Sequence, residues 1–379
     1  MKKATYLCLL MLLCLSLKAQ IDPNWEPYFV EEFTSNHYWN STNWYSMPDL
    51  YWKAYLGNTI THGDREGQIY QYDHCQFDQN EGVVKLISEF DNDGDIPNHH
   101  YDLPSALHGS YPNEFGNNDG LYFFSGEITA FPNAKFGFGY FEIKCKLPLH
   151  NGSFPAFWLF GNGPNNYEEI DIFEYSKGDC EGDVLRGHST GIWYNPYSTQ
   201  YNDPNGGDDH AMNFAKIHHH LALADPDLSE YHTFGCEWMP DYVRWYRDGK
   251  IIAEDYDSSH IPKYPKTLIV NYAIIRDYAL NQYLQPFGWS GSDEMTIDYV
   301  KVYELKTDCG TDELITTGTQ FANFDYKMKH SITIGSPEGQ VIVPANTNVS
   351  MHAEQSITID GEFEIPVGSQ MSLSVHTCP

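Results

Sequence analysis

Between Trp25 and Leu305 the chain alternates short apolar or aromatic runs with Gly, Pro, Asn and Asp. This pattern predicts many β-strands and few helices. Examples are the runs Gly139–Leu147, Val243–Arg247 and Met295–Tyr303, where apolar residues recur at about every second position, as in a strand with one buried face. We therefore predict an all-β fold, built as a β-sandwich of antiparallel sheets.

The C-terminal residues have a different pattern, which starts near Lys306 where aromatic residues become sparse. The segment His330–Ile334 recurs as Gln355–Ile359, with the same Ser-Ile-Thr-Ile core. An internal repeat of strand-like segments predicts a small stacked β module. We place it at 307–379 and expect chemistry at 20–306, because the module has no Trp and no clustered acids.

The first residues predict export. Two lysines precede an apolar run that ends at Leu17, and Ala19 offers a cleavage point, which together are typical of a signal peptide over 1–19. A lipoprotein cleavage site at Cys14 is the alternative. The run is too short to cross a membrane, so we expect no membrane insertion and a secreted or cell-surface protein.

Charge and composition narrow the class of partner. There are 52 acidic residues against 22 Lys and Arg, giving a net charge of -30. This balance argues against nucleic acid and anionic membranes as partners. Aromatic residues make up 15% of the chain, which favours carbohydrate because sugar faces stack on Trp and Tyr. We expect a monomer.

The cysteines predict one disulfide. Six of the eight follow the signal peptide, and they contain no C-x-x-C pair of the type that binds zinc. Cys309 and Cys378 bracket the last segment and are expected to pair in an oxidising compartment. The other four, Cys75, Cys145, Cys180 and Cys236, are expected to be either buried free thiols or further disulfides.

The segment 169–174 reads Glu-Ile-Asp-Ile-Phe-Glu, three carboxylates within an otherwise apolar strand. In a regular strand Glu169 and Asp171 share a face and Glu174 points away, so a bulge at Ile172-Phe173 is needed to bring all three together. The backbones of the outer two would then lie about 13 Å apart, and their side chains could close this to ~5 to 6 Å. That is the separation of the two carboxylates of a retaining glycosidase.

Solvated acids on an edge strand are the alternative interpretation. The upstream segment 152–159, Gly-Ser-Phe-Pro-Ala-Phe-Trp-Leu, favours the interpretation as glycosidase carboxylates, because an aromatic-rich strand beside the acids could bind sugar rings.

Several motifs in the same order resemble glycoside hydrolase family 16, the laminarinase, lichenase and agarase family. They are Glu31-Glu32-Phe33, Phe138–Glu142, Phe154–Trp158, the acidic segment, Trp238 with Tyr246–Gly249, and Ile297–Tyr303. The resemblance covers roughly Phe29 to Glu304. It implies a β-jelly-roll sandwich of two antiparallel sheets and retaining hydrolysis of internal β-glycosidic bonds.

The resemblance assigns the roles of the acids. Glu169 would be the nucleophile, Glu174 the general acid/base, and Asp171 the neighbour that shares hydrogen bonds with them. It also implies substrate contacts from Trp158, Trp193 and Asn271. No cofactor is expected for catalysis, but family members often hold a structural calcium with an Asp at the position of Asp298.

The expected substrate is a polysaccharide, first of all a laminarin-like β-1,3-glucan. Three departures from laminarinase-like members weaken this choice: Phe154 in place of Trp, Glu168 in place of Gly, and Ile274–Asp277 in place of a Gly-Gly pair. Arg186 and Arg276 would also suit a charged galactan. A galactan hydrolase for agar, porphyran or carrageenan and a non-catalytic glycan-binding protein are therefore kept as alternatives.

The run His218-His219-His220 could suggest a metal site. Three consecutive side chains cannot all face one ion, and no acid or Cys spacing supports them. We expect a solvated loop here.

Overall fold

The computed structural model describes a large part of the chain. The described residues are 25–34, 52–54, 66–90, 123–130, 136–148, 150–163, 166–176, 187–194, 215–220, 230–239, 242–257, 260–262, 265–275, 279, 291–315, 325–335, 340–343 and 348–378. The predicted signal peptide lies outside them. None of the helical stretches in this part of the chain has the length and apolar character that crossing a membrane requires.

The first of two large sheets contains ten strands among the described residues. Numbered along the chain, they are β1 (Trp25–Glu31), β3 (Gln68–Tyr70), β4 (Cys75–Asp78), β5 (Val83–Phe90), β6 (Phe123–Ser125), β8 (Gly139–Lys146), β13 (His232–Trp238), β14 (Val243–Arg247), β15 (Lys250–Asp255) and β17 (Ser292–Leu305). Its longest path runs β15-β14-β13-β8-β17-β5-β6-β3, with a 3-10 turn, Tyr72–His74, between β3 and β4. All pairings are antiparallel except that of β3 with β6.

The second large sheet has seven described strands in the order β12-β11-β10-β9-β16-β7-β2. They are β2 (Trp52–Ala54), β7 (Glu127–Ala130), β9 (Ser153–Gly163), β10 (Asn166–Ser176), β11 (Gly187–Tyr194), β12 (Ala215–His220) and β16 (Thr267–Ile274). All of its pairings are antiparallel.

The two sheets share one hydrophobic core. Alternate residues of β9, β10 and β16 are fully buried in it, together with alternate residues of β8, β13 and β14. The rings of Phe173 in β10 and Phe234 in β13 lie 4.4 Å apart between centroids, so the sheets are in direct contact. This is the β-sandwich that the alternating pattern predicted, and the prediction of an all-β jelly roll is confirmed.

The chain after Leu305 forms its own parallel sheets. One contains β18 (Glu313–Ile315), β19 (Asp325–Ile334), β21 (Asn348–Ile359) and β23 (Gln370–Val375), and the other contains β20 (Gln340–Ile342) and β22 (Glu362–Glu364). Ser331 pairs with Ser356, and this register continues to Ile334 with Ile359, so the two copies of the repeat lie side by side. The predicted stacked β module is therefore present.

The cysteines follow the prediction in part. Cys309 and Cys378 form the expected disulfide. Cys75, Cys145 and Cys236 are buried thiols, and burial raises the pKa of each. Cys180 lies outside the described residues.

The loop prediction for the histidine run is wrong. His218, His219 and His220 lie in the edge strand β12, where they pair with Gly191, Thr190 and Ser189 of β11. Three consecutive histidines show no alternation of apolar and polar residues, so the sequence did not predict a strand here. The segment is a strand because it pairs with β11.

Candidate active site

The predicted bulge is present in β10. Against β9, Asp171 pairs with Trp158 and Phe173 pairs with the next residue back, Phe157, so Ile172 is an extra residue. Against β11 the register shifts between Asp171 and Glu174. β10 lies between two strands and is no edge strand, which excludes the interpretation of the acids as solvated residues at a sheet edge.

The bulge separates the acids from the apolar residues. Ile170, Ile172 and Phe173 are fully buried in the core between the sheets. Glu169, Asp171 and Glu174 lie on the opposite face, which we call the acid face. Glu169 is 8% exposed and Asp171 2% exposed, while Glu174 is partly exposed. The three carboxylates therefore share one largely desolvated surface.

Two side-chain donors hold the bulge from the core side. The Asp171 carbonyl accepts a hydrogen bond from Trp245 Nε1 at 2.9 Å and another from Thr190 Oγ1 at 2.8 Å. Trp245 comes from β14 in the other sheet and is fully buried. A bulge disrupts the ladder locally, and buried carbonyls need donors, so these two side chains stabilise the irregular backbone between the acids.

Trp158 and Asn271 lie on the acid face beside the acids. Trp158 of β9 pairs with Asp171 of β10. Ala156 of β9 pairs with Glu174 on one side and with Asn271 of β16 on the other. The indole Nε1 of Trp158 donates to Asn271 Oδ1 at 2.9 Å. The structure thus brings two of the three proposed substrate residues next to the acids.

The third proposed substrate residue can be placed only by its backbone. Trp193 pairs with Glu169 across β10 and β11, so its backbone adjoins the expected nucleophile. The side chain of Trp193, and both Arg186 and Arg276, lie outside the described residues.

Glu168 does not belong to the acid face. Its Oε2 lies 2.7 Å from Nζ of Lys266, a lysine with 0% of its side chain exposed. The same ammonium lies 5.5 Å from the centroid of a Trp238 ring. The Glu168 departure from the laminarinase pattern is therefore part of an internal ion pair on the side of β10 opposite to the acid face.

Asp298, the residue expected to bind calcium, contacts a lysine in the structure. Asp298 Oδ2 forms an ion pair with Lys144 Nζ at 2.6 Å. Within the part of the chain that the structure describes, no three His, Cys, Asp or Glu side chains are grouped so as to hold a metal ion. Calcium wants six to eight oxygen ligands, so this expectation depends on the family resemblance alone.

Comparison with known proteins identifies the family. The model of glycosyl hydrolases family 16 matches residues 122–301, a segment that contains all three acids, Trp158 and Asn271. This segment belongs to glycosyl hydrolase family 16. The resemblance drawn from the motifs is therefore confirmed. Trp245 and Lys266 also lie within the family 16 segment, although neither belongs to the motifs that carry the resemblance.

The relatives match over part of their length. An endo-1,3-1,4-beta-glycanase of Rhizobium meliloti is 27% identical over 198 residues, which is 50% of this chain and 35% of the relative. A kappa-carrageenase of Pseudoalteromonas carrageenovora is 30% identical over 152 residues, 35% of this chain and 34% of the relative. The chain thus spans about a third of the length of these curated relatives.

A solved structure supports the fold. It is described as an endo-acting O-glycanase that members of the human gut microbiota express to initiate mucin breakdown. It has a TM-score of 0.51 and 19% identity, and covers 76% of this chain and 93% of its own. At this identity the likeness concerns the fold alone.

Proposed function

We propose that the chain is an exported, retaining endo-glycosidase that hydrolyses internal β-glycosidic bonds of a polysaccharide, first of all a laminarin-like β-1,3-glucan. The observation that carries this proposal is the bulge in β10, because it brings Glu174 to the face of Glu169 and Asp171. A regular strand would leave Glu174 on the core side and without access to a leaving group.

Each acid has a separate task in this mechanism. The ionised carboxylate of Glu169 attacks the anomeric carbon, while Glu174 gives its proton to the departing glycosidic oxygen. The glycosyl ester on Glu169 is then attacked by water, whose proton returns to Glu174. Asp171 lies between them on the acid face, where the family resemblance assigns it hydrogen bonds with both.

Substrate choice is supported by the named activities of the relatives. The Rhizobium relative is named for β-1,3-1,4 linkages, which favours a β-glucan for this chain. A galactan is the second candidate, because a kappa-carrageenase is 30% identical over 152 residues. The presence of Glu168 in place of Gly does not argue against a glucan substrate, because its carboxylate forms an ion pair with Lys266.

The stereochemistry of the first products tests the mechanism. Laminarin, mixed-linkage glucan, agarose, porphyran and kappa-carrageenan are each incubated with the protein, and the polymer cleaved fastest is followed by proton NMR. We expect the β anomer to appear first, together with oligosaccharides of many lengths. An initial α anomer would mean direct attack by water, and the exclusive release of mono- or disaccharides would exclude endo action.

The same panel distinguishes the enzyme from a glycan-binding protein. A protein that binds one of these polymers in affinity electrophoresis and releases no reducing ends over several hours would contradict the proposed hydrolase. It would favour the non-catalytic alternative.

A further prediction concerns the support of the bulge. Trp245→Phe removes the indole donor to the Asp171 carbonyl, so the acids should lose their alignment while the substrate-binding face stays intact. We expect kcat to fall by roughly 10- to 100-fold, since a displacement of about 1 Å in a reacting group can cost that much. KM should stay within about twofold of the wild type.

Trp238→Phe is the matched control. Trp238 is equally buried and donates its Nε1 proton to a backbone carbonyl, that of Pro262, at 2.9 Å and away from the bulge. Equal losses of kcat in both variants would show that any buried indole bond has this effect and would reject the special role of Trp245.

A further inference from the structure

A buried chain of hydrogen bonds starts at Trp158 and leads away from the acids. Asn271 receives the indole proton on Oδ1 and donates from Nδ2 to the hydroxyl of Tyr70 at 2.7 Å. Gln68 Nε2 donates to the same hydroxyl at 3.0 Å and to Glu66 Oε2 at 2.6 Å. The chain thus links β9 and β16 of one sheet to β3 of the other.

The direction of every bond in this chain is fixed. An indole N–H can only donate, so Asn271 must present its oxygen to Trp158 and its amide nitrogen to Tyr70. The backbone N–H of Ile274 donates to Gln68 Oε1 at 2.8 Å, which leaves the amide nitrogen of Gln68 for Tyr70. Neither amide can flip without placing two donors or two acceptors together.

Burial makes this arrangement rigid. Gln68 and Tyr70 are 0% exposed, and Asn271 is 3% exposed. Burial, with the nearby carboxylates of Glu66 and Glu127, raises the pKa of Tyr70 well above its usual value, so the hydroxyl stays protonated. In such a site a lost partner is not replaced by bulk water.

We propose that Tyr70 and Gln68 are positioning residues that act through Asn271 to fix the orientation of the Trp158 indole against a sugar ring of the bound polysaccharide. Trp158 is directly opposite Asp171, so its orientation sets where a sugar lies relative to the acids. This inference rests on the proposed function. It gives Asn271 an indirect role in binding, since both ends of its amide bind protein groups.

The kinetic test uses Tyr70→Phe, which removes only the hydroxyl. On the panel polymer that the wild type cleaves fastest, we expect KM to rise about fivefold or more and kcat to stay within about twofold. Tyr246→Phe is the control, because its hydroxyl donates to Glu237 Oε2 at 2.8 Å and has no described bond to Asn271 or Trp158. An unchanged KM in Tyr70→Phe, or a fall in kcat alone, would overturn the proposal.

A second measurement does not depend on turnover. In protein labelled with ¹⁵N-tryptophan, the indole N–H signal of Trp158 is identified by its absence in Trp158→Phe. We expect its hydrogen exchange to be at least about tenfold faster in Tyr70→Phe and unchanged in Tyr246→Phe. Equal exchange in all three folded proteins would overturn the proposal. If Tyr70→Phe does not fold, Asn271→Leu, which removes the central link, is measured in its place with the same expectations.

The two readouts separate the two proposals. If the wild type cleaves no polymer of the panel but exchange at Trp158 responds to Tyr70→Phe, the proposed function fails and the positioning of Trp158 stands. If exchange responds while KM does not, the network orients the indole without serving sugar binding, and the proposed role is rejected.

Discussion

Replacing Glu169 with glutamine should lower kcat by at least about 10⁴-fold, or ~5 kcal/mol in the activation free energy, because a neutral amide cannot form the glycosyl ester. The substitution keeps the volume of the side chain, so the protein should fold and still bind polymer. Initial rates of reducing-end release, with affinity electrophoresis for binding, measure the two effects. In Glu169→Gly, which leaves space for a small anion, azide should restore turnover and give a product of inverted configuration.

Glu237→Gln is the control for this result. Glu237 is 7% exposed, close to the 8% of Glu169, but it lies in β13 of the other sheet and accepts hydrogen bonds from Tyr242 and Tyr246. Its activity should stay near that of the wild type. A Glu169→Gln protein with activity within about tenfold of the wild type would remove Glu169 from the role of nucleophile.

The bulge in β10 could be predicted from sequence because of a local conflict. Acids at positions 169, 171 and 174 cannot all share one face of a regular strand, and the residues between them are too apolar for their own face to be solvated. One extra residue resolves the conflict, and Ile172 is that residue. The C-terminal repeat module could also be predicted from the sequence. Two similar strand segments pair in register because each covers the open edge of the other.

The supports of the site could not be predicted in this way. Trp245 reaches Asp171 across 74 residues of sequence, and Tyr70 reaches Asn271 across 201. Neither contact has a period or a motif, because each depends on which strands of the two sheets meet. Trp245 fits the alternating pattern of a core residue, and only the geometry of its N–H distinguishes it from other buried aromatics.

The ion pair between Lys266 and Glu168 is a third contact that the sequence did not predict, and it adjoins the expected nucleophile. A lysine is almost never fully buried unless it is paired, yet Lys266 is 0% exposed. Its partner carboxylate is 14% exposed and immediately precedes Glu169 in β10. The pair therefore attaches β10 to the segment that leads into β16, from the side opposite to the acid face.

Lys266→Met should lower the free energy of unfolding by about 3–5 kcal/mol, because the largely buried carboxylate of Glu168 loses the ammonium group that lies 2.7 Å away. The double variant Lys266→Met/Glu168→Gln should recover much of this loss, since no buried charge is then left unpaired. Urea unfolding followed by tryptophan fluorescence measures both. Lys301→Met is the control: its partner Glu32 is 57% exposed, so the loss should be under about 1 kcal/mol. A double variant no more stable than Lys266→Met would show that packing of the lysine stem, and not the charge of Glu168, determines the effect.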